Sequence, residues 1–483
     1  MILSTIFLTL ISSLFVLFML PIHSLKTIKV FSLTITGFIL VLSSYILAHF
    51  DFNTSNYQYV ETFFLGLNIL NIDFYFGLDG LSIYFFFLTA LLIFICVLFS
   101  WGGEKIKENM FNLLLLELLL LLVFSALDLI LFYVFFEAIL IPMFFLVGFL
   151  GSRARKIRAA YLLFFYTLFG SLLMLIGLIY IYSKFGSLNI EYISTNSFSE
   201  LEQKCLWLAF FLSFASKIPM FPFHIWLPEA HVEAPTIGSV LLAGILLKLG
   251  VYGFLRYSLT LFPFASLYFS PLVYLLSIIG IIYASFTAIR QTDIKRIIAY
   301  SSIAHMNLVT IGIFSFTVAG IEGSLLQSIS HGFVSGGMFL MVGILYERYH
   351  SRLLYYYGGL VHVMPLYSTY LLVFTMANIA LPGTSSFVGE FLLFCGIFKT
   401  SSFVCILSAL GVILCGAYSL WLYNRIIFGN LKIAYTKNFK DLNLREFCLL
   451  TILIVPVILM GINPTLFSSG IKLASSTLTV FIA

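Results

Sequence analysis

The stretch Ala215–Pro235 reads ASKIPMFPFHIWLPEAHVEAP and interrupts an apolar segment with Lys217, followed by Pro219, Pro222 and Pro228. Proline removes a backbone hydrogen bond and kinks or breaks a helix. Inside a membrane, broken spans occur where their freed backbone groups line a polar or hydrated cavity. If the surrounding chain is embedded in a membrane, this stretch predicts a polar path through it.

The composition places the chain in a membrane. It has 483 residues, of which 61% are hydrophobic and 9% charged, and its mean hydropathy is +1.10. Soluble globular proteins carry about 25% charged residues. Lipid tolerates only segments whose backbone groups are paired internally, so we predict an all-α polytopic membrane protein. No cleavable signal or transit peptide is evident before the first apolar segment, and we expect that segment to start insertion.

Fourteen apolar segments are candidate membrane spans of about 20 residues each, here called spans 1 to 14. Their approximate limits are 2–21, 29–50, 80–100, 111–127, 128–150, 159–183, 206–227, 236–257, 271–289, 297–316, 321–346, 364–397, 403–428 and 447–467. Loops after odd-numbered spans hold 18 of the 25 Lys and Arg residues, including Lys437. By the positive-inside rule these loops face the cytoplasm or matrix. Both termini and the acidic segment 51–79, with Asp73 and Asp79, then face the outer side.

Several charged residues lie within spans, and four of them are central to the functional hypothesis: Glu137, Lys217, Lys248 and Glu390. Each costs about 2.5–3.5 kcal/mol on insertion scales, and such residues are functional by default. A carboxylate beside Lys217 would keep the amine charged, and its departure would release the proton. A Glu137–Lys217 pair therefore suits proton transfer, although a static ion pair that fixes helix packing is an alternative. For Lys248 the alternatives are snorkelling and backbone capping.

The histidines are less specific signals. Free imidazole titrates near neutral pH, so His305 in span 10 and His331 in span 11 suit a proton relay. A polar contact between helices is the alternative for each. His224 and His231 near the end of span 7 are explained as readily by an interfacial position. The sequence assigns no role to two further acidic residues at span 4, Glu117 and Asp128.

The broken spans point to an internal repeat. Span 7 carries KIPMFPFH and span 12 carries NIALPGTSSFVGEF, and Glu137 precedes His305 by 168 residues as Lys217 precedes Glu390 by 173. Paired interrupted helices are typical of inverted repeats and their ion path. We predict two five-span repeats, 111–257 (spans 4–8) and 271–428 (spans 9–13), with opposite topology because five is odd. Together they form a core, 111–428, between an N-terminal part, 1–110, and a C-terminal part, 429–483, that holds span 14.

Other classes of site have little support. The six cysteines are scattered without a CxxC pattern, so no zinc or iron–sulfur frame is predicted and no metal site is expected. No glycine-rich nucleotide-binding loop occurs. The net charge of +5 comes from loops, and no nucleic-acid partner is expected.

Five runs closely resemble the antiporter-like membrane-arm subunits of respiratory complex I, the proton-translocating NADH:ubiquinone oxidoreductase. They are FFEAILIPMFFLVG (135–148), KIPMFPFHIWLPEAHVEAPTIGSVLLAGILLKLGVYGFLR (217–256), DIKRIIAYSSIAHMNLVTIG (293–312), SHGFVSGGMFLMVGILYER (330–348) and LPGTSSFVGEFLLF (381–394). The resemblance covers essentially the whole chain. The chain has no long amphipathic extension after span 14, which argues against the largest member of this group.

The resemblance implies a role for each charged residue. Glu137 and Lys217 would form the input pair, Lys248 the central relay and Glu390 the exit group, with His305 and His331 as relay histidines. It also implies that this chain holds no cofactor and that NAD, FMN, iron–sulfur clusters and quinone belong to partner subunits. The implied partners are other membrane-arm subunits, including sister antiporter-like subunits, a lateral helix along the flank, and lipids.

Two other functions stay open at this point. A subunit of a multi-subunit cation/proton antiporter shares this fold and would exchange ions without NADH oxidation. A structural membrane spacer would tolerate replacement of its buried charges. The 54 phenylalanines indicate an AT-rich coding genome, which favours an organelle-encoded chain of the mitochondrial inner membrane over the bacterial plasma membrane.

Overall fold

The computed structural model describes residues 1–63, 74–102, 105–151, 153–432, 435 and 439–482. Asp73 and Lys437, which entered the sidedness argument, lie outside these residues. The helices are α1 Ile2–Met19, α2 Leu25–Ala48, α3 Ser82–Phe99, α4 Ile106–Ser125, α5 Leu129–Ala138, α6 Leu140–Gly148, α7 Lys156–Phe185, α8 Ile190–Ser194, α9 Glu200–Lys217, α10 Trp226–Glu233, α11 Thr236–Leu241, α12 Leu247–Gly253, α13 Leu259–Leu261, α14 Pro263–Tyr268, α15 Ser270–Arg290, α16 Ile294–Ile313, α17 Val318–Tyr349, α18 Pro365–Asn378, α19 Ser385–Thr400, α20 Ser402–Ile427, α21 Leu444–Ile462 and α22 Thr465–Ile482.

Local sequence signals set several helix ends. Asp128 begins α5 by accepting a hydrogen bond from the Ile130 N–H, and Asp293 begins α16 in the same way. These caps satisfy N–H groups that have no partner inside the helix. Gly186, with φ of 70°, ends α7 in the left-handed conformation that glycine adopts at low cost.

The structure confirms a mostly helical membrane protein but not the count of fourteen spans. In the described part of the chain, eleven helical segments are long and apolar enough to cross a membrane, and they match eleven predicted spans. The other three predictions correspond to α9, to α16 and to the pair α18 and α19. Charged and polar residues interrupt α9 and α16, while α18 and α19 have only 14 and 16 residues. The count of fourteen therefore stays a prediction.

Spans 7 and 12 are broken, as predicted. Helix α9 ends at Lys217, and the chain resumes a helix only at Trp226, after two prolines. Between α18 and α19, the sequence Pro382-Gly383 interrupts the helix, and Gly383 has φ of 93°. Span 5 has a local irregularity at Ile139, between α5 and α6, which the sequence analysis did not predict, but Leu129–Gly148 is one helical segment.

Span 8 contains two π-helical turns, Leu242–Leu246 and Phe254–Ser258. They lie within the helical segment Thr236–Leu261, one on each side of α12, the short helix that carries Lys248. Wide turns of this kind are rare and frequently occur at functional sites. The irregular backbone therefore flanks Lys248, the residue that the sequence analysis selected because of its charge.

Two elements add to the predicted fold. Strands β1 (Gln58–Phe63) and β2 (Phe74–Leu78) pair antiparallel with Glu61 opposite Phe76, so the all-α description omits a hairpin. The segment after span 14, for which no helix was predicted, forms the 18-residue helix α22.

The chain divides into two compact units. The first unit comprises residues 1–217, 248–269 and 470–483, and the second comprises 218–247 and 270–469. Aromatic rings fill the first unit, where Phe132 packs against Phe214 and Tyr257. In the second unit α17 packs closely on α19, since a Cβ at Gly323 would lie 2.6 Å from the Leu393 nitrogen. The predicted division into an N-terminal part, two repeats and a C-terminal part stays a prediction.

Candidate functional site

The ionisable residues selected from the sequence are buried, with one exception. Five of the six side chains are at most 6% exposed: Lys217, Lys248, His305, His331 and Glu390. Glu137 is half-buried. Glu137, Lys217 and Lys248 belong to the first unit, while His305, His331 and Glu390 belong to the second.

Lys217 lies at the C-terminal end of α9, immediately before the break. Its Nζ donates a hydrogen bond to the Phe136 carbonyl oxygen at 3.4 Å and lies 4.2 Å from the centre of the Phe136 ring. Glu137 is the next residue, and its charge interacts electrostatically with that of Lys217. The two predicted partners are close but form no ion pair among the described contacts: the hydrogen bond of Lys217 goes to the backbone beside Glu137, whose carboxylate oxygens accept no described hydrogen bond.

Lys248 is fully buried in α12 between the two π-helical turns. Snorkelling requires the ammonium group to reach the surface, and 0% exposure is inconsistent with that alternative. One helical turn further along the segment lies Tyr252, which is also buried.

Glu390 is held by two side chains of the second unit. Its Oε1 accepts a hydrogen bond from Gln327 Nε2 at 3.0 Å and lies 3.2 Å from His305 Nδ1. The three residues come from three helices, α19, α17 and α16. A buried carboxylate that is paired with a histidine in this way can exchange a proton with it.

The other ring nitrogen of His305 contacts a thiol. His305 Nε2 lies 3.6 Å from Cys415 Sγ, which accepts a hydrogen bond from the Tyr418 hydroxyl at 3.0 Å. His305, Glu390, Cys415 and Tyr418 line a cavity of about 20 Å³, which is room for one water molecule. The result is a continuous row of exchangeable groups from Tyr418 to Glu390.

His331 extends this polar region along α17. Its ring centre lies 5.9 Å from that of His305. Four residues before it, Gln327 lies on the same helix face, and Ser330 hydrogen-bonds Ser385 and Ser386 at the start of α19. Gln327 was missed at the sequence level, although an amide inside an apolar span, one helical turn from a histidine, was a usable signal.

The segment after the span 7 break is anchored by residues that the sequence analysis placed in loops. Lys295 is buried, and its Nζ donates to the Ala234 carbonyl oxygen at 2.9 Å and to Ser239 Oγ at 3.2 Å. Arg296 pairs with Glu229 at 2.9 Å. These contacts fix the interrupted backbone within the second unit.

The remaining candidates take structural positions. His231 is fully buried and stacks on Phe339 with ring centres 4.6 Å apart, and His224 is also buried, while a position at the membrane interface stays a prediction for both. Asp128 is the N-cap of α5. Glu117 is fully buried within the first unit, so its side chain is not presented to another subunit. Among the described residues, no cluster of three or more His, Cys, Asp or Glu side chains is placed to hold a metal ion.

Comparison with known proteins gives consistent results. Residues 126–415 match the family described as NADH:quinone oxidoreductase/Mrp antiporter, transmembrane. The chain is 55% identical over 420 residues to NADH-ubiquinone oxidoreductase chain 4 of Marchantia polymorpha, covering 86% of this chain and 85% of that one. It is 50% identical over 471 residues to the protein of the same name in Chondrus crispus, covering 97% and 96%.

Two solved structures are similar over nearly their whole length. A chain of respiratory complex I from Thermus thermophilus with bound NADH superposes with a TM-score of 0.90 at 30% identity, covering 100% of both chains. A chain of the Mrp complex from Dietzia sp. DQ12-45-1b superposes with a TM-score of 0.86 at 18% identity, covering 99% and 98%. The latter likeness is one of fold.

Proposed function

Because the chain belongs to the NADH-ubiquinone oxidoreductase chain 4 family, we propose that its buried ionisable side chains carry protons through the membrane while NADH is oxidised elsewhere. The chain is a multi-pass subunit of the membrane arm of respiratory complex I, located in the mitochondrial inner membrane. It is therefore part of an oxidoreductase complex. The redox reaction, with NAD, FMN, iron–sulfur clusters and quinone, is assigned to partner subunits.

The observation that supports this proposal most strongly is the contact of His305 with Glu390 inside the second unit. A carboxylate, an imidazole and an amide are costly to bury unless they are paired, and a spacer could use apolar side chains instead. Both the imidazole and the carboxylate can gain and lose a proton, whereas Gln327 can only orient the carboxylate.

Each residue has a defined part in the proposed path. Glu137 supplies the counter-charge for Lys217, whose ammonium releases its proton when that counter-charge moves away. The proton then passes by Lys248 and His331 to His305, which contacts Glu390 directly, with water bridging the gaps. Lys217 and Glu390 lie beside the two interrupted spans, where backbone groups can line a hydrated cavity.

The free-energy cost of moving one proton across the membrane is comparable with the free energy of one hydrogen bond to a charged group. Moving one proton against 100 mV costs about 2.3 kcal/mol. A hydrogen bond to a charged group contributes about 1.5–3 kcal/mol. Making or breaking one such contact in each cycle, at Lys217 or Glu390, is therefore enough to bias the direction of transfer.

The partners are proposed from the same family membership. They are other membrane-arm subunits, including sister antiporter-like subunits, together with a lateral helix and lipids. The apolar side chains exposed on helices such as α5, α7 and α20 suit contact with helices or lipid. A cation/proton antiporter shares the fold, but the identity to its solved relative is 18%, against 55% and 50% to the two chain 4 relatives.

The experiment is replacement of Lys217 by methionine in the assembled complex. We expect NADH-driven proton translocation to fall by about 100-fold, the size of effect typical for loss of a proton-transfer group. Lys204→Met is the matched control, because Lys204 lies on the same helix and contacts the Tyr268 ring at 4.1 Å, yet is only half-buried. Unchanged translocation in Lys217→Met would refute the proposed function and favour the structural spacer.

A further inference from the structure

A cavity of about 980 Å³ lies at the C-terminal end of α20, within the second unit. It is lined by Thr292 and by residues of the segments 353–358 and 421–432. These residues lie in or next to the loops after spans 9, 11 and 13, which the positive-inside rule places on the matrix side. The cavity is therefore a candidate binding site at the inner surface of the membrane, apart from the residues of the proposed proton path.

Contacts between the loops hold the walls of this cavity in place. The Leu354 N–H donates to the Thr292 carbonyl oxygen at 3.0 Å, and the Gly359 N–H donates to the Phe428 carbonyl oxygen at 3.1 Å. Gly359 has φ of 67°, and a Cβ there would lie 2.7 Å from the Leu431 Cα. Three loops that are distant in the chain thus form one wall, and glycine permits their close approach.

The charge inside the cavity is positive. Among the described residues that line it, Arg425 and Lys432 are cationic and none is acidic. Arg425 Cζ lies 5.8 Å from the centre of the Trp421 ring, and no described acidic side chain pairs with it. Lys432 Nζ donates a hydrogen bond to the Tyr355 carbonyl oxygen. A guanidinium group binds phosphate oxygens with two parallel N–H donors, so this lining suits a phosphate group.

An apolar surface leads from the cavity along α20 into the membrane. Ile406, Leu410, Ile413 and Leu420 are exposed, and their spacing of three, four and seven residues places them along one side of the helix. From Ile413 to Arg425 the helix rises about 18 Å, which is close to half of the hydrocarbon core of about 30 Å. The stripe therefore has the length of one leaflet and ends at the cationic cavity.

Aromatic side chains mark the boundary between these two surfaces. Trp421 and Tyr355 both line the cavity and are 36% and 71% exposed. Tryptophan and tyrosine are enriched where a membrane protein passes from lipid to water. A free phosphate or a nucleotide would use the cationic cavity but leave the apolar stripe uncovered, whereas a phospholipid covers both.

We propose that this cavity binds the phosphate headgroup of an anionic phospholipid of the matrix leaflet, with its acyl chains along the exposed side of α20. Arg425 binds the phosphate, and Lys432 adds a second positive charge. Basic pockets at the matrix end of membrane helices are suited to such headgroups. The inference does not depend on proton translocation, and its test measures bound lipid.

The probe is phosphatidylglycerol with a photoreactive diazirine in one acyl chain, and phosphatidylcholine with the same chain is the neutral comparison. The assembled complex is placed in phosphatidylcholine vesicles that contain a trace of one probe, and after illumination the label on α20 is quantified by mass spectrometry. We expect phosphatidylglycerol to label α20 more strongly than phosphatidylcholine. Arg425→Gln is expected to lower phosphatidylglycerol labelling about fivefold, equivalent to about 1 kcal/mol for one basic residue at the membrane surface.

Arg290→Gln is the matched control, because Arg290 is an exposed arginine at the end of α15 in the same unit and does not line this cavity. It is expected to leave the labelling of α20 unchanged. Lys432→Gln is measured in parallel and decides the question if Arg425→Gln does not assemble. Equal labelling by the two lipids, or labelling that neither variant lowers, overturns the inference. Loss of the label when inorganic phosphate is added would assign the cavity to a soluble anion and would equally overturn it.

Discussion

Lys217 in the first unit and Glu390 in the second both lie beside an interrupted span, yet their surroundings are built differently. Lys217 contacts one backbone carbonyl and one aromatic ring, and its opposite charge, Glu137, is half-buried. Glu390 is held by Gln327 and His305, and His305 is held in turn by Cys415. The Lys217 ammonium therefore has few contacts, whereas the Glu390 carboxylate is held by side chains from two other helices.

The difference indicates a division of labour. Cation–π contacts contribute about 0.5–2 kcal/mol and constrain direction weakly, so Lys217 can lose and regain its counter-charge without disturbing its surroundings. Hydrogen bonds to a buried carboxylate are directional and stronger. The first site is thus suited to a changing electrostatic input, and the second to holding a proton between fixed partners.

The largest effect that tests this comparison is expected for Glu390→Gln. The amide can still accept a hydrogen bond from Gln327, but it cannot take up a proton from His305. We expect NADH-driven proton translocation to fall by about 100-fold, measured per assembled complex. Its readout is the rate of acidification on the outer side of closed vesicles.

Glu446→Gln is the matched control for that variant. Glu446 is a buried carboxylate of the same unit, paired with Arg348 Nη2 at 2.8 Å. Its loss is expected to reduce the amount of assembled complex and to leave translocation per complex unchanged. An equal fall per complex in both variants would mean that burial of charge, and not proton exchange at Glu390, is what matters.

A smaller effect is expected for Glu137→Gln. The contacts of Lys217 with Phe136 stay in place, so only the electrostatic part of the site is lost. We expect about a tenfold fall in translocation, which corresponds to about 1.4 kcal/mol. Glu202→Gln is the control, because Glu202 is a carboxylate of the same unit that pairs with Lys184 at the surface, where such pairs contribute about 0–1 kcal/mol. A fall as large as that of Glu390→Gln would remove the distinction between the two sites.

Gln327→Met probes the rigidity of the second site. Methionine has a similar length but donates no hydrogen bond, so Glu390 loses one of its two described side-chain partners. A hydrogen bond to a charged group is worth about 1.5–3 kcal/mol, part of which rearrangement recovers, and we expect about a fivefold fall in translocation. Thr310→Val serves as control, since it removes a buried hydroxyl of the same unit that bonds Ser277 at 2.8 Å. Equal translocation by the two variants would show that Gln327 has no specific role in proton transfer.

Features that depend on neighbouring residues were predictable from the sequence. Proline acts on the helix in which it occurs, so the breaks after Lys217 and around Pro382 follow from local chemistry. The buried charges were found by the cost of placing them in lipid. Lys217, Lys248 and Glu390 could be selected from the sequence alone, because each lies within an apolar run.

Features that depend on distant residues were not predictable. Cys415 seemed one of six scattered thiols because its partner His305 lies 110 residues away. Lys295 was counted as a loop residue, since only the fold shows that the carbonyl oxygen of Ala234 accepts its hydrogen bond. The Asp79–Arg256 pair joins residues 177 apart. In each case two elements that are remote in the chain supply one contact.

The smallest effect is expected at Cys415, the outermost support of the second site. A thiol is a weak hydrogen-bond donor and acceptor, so Cys415→Ala should lower translocation only about twofold, equivalent to about 0.4 kcal/mol. Cys415→Ser keeps a hydroxyl between Tyr418 and His305 and is expected to restore the parent rate. Cys405→Ala, on the same helix but half-buried and bonded to the Phe394 carbonyl oxygen, is expected to have no effect. If alanine at 415 equals the parent while serine is slower, His305 needs no partner at Nε2, and the second site is as loosely supported as the first.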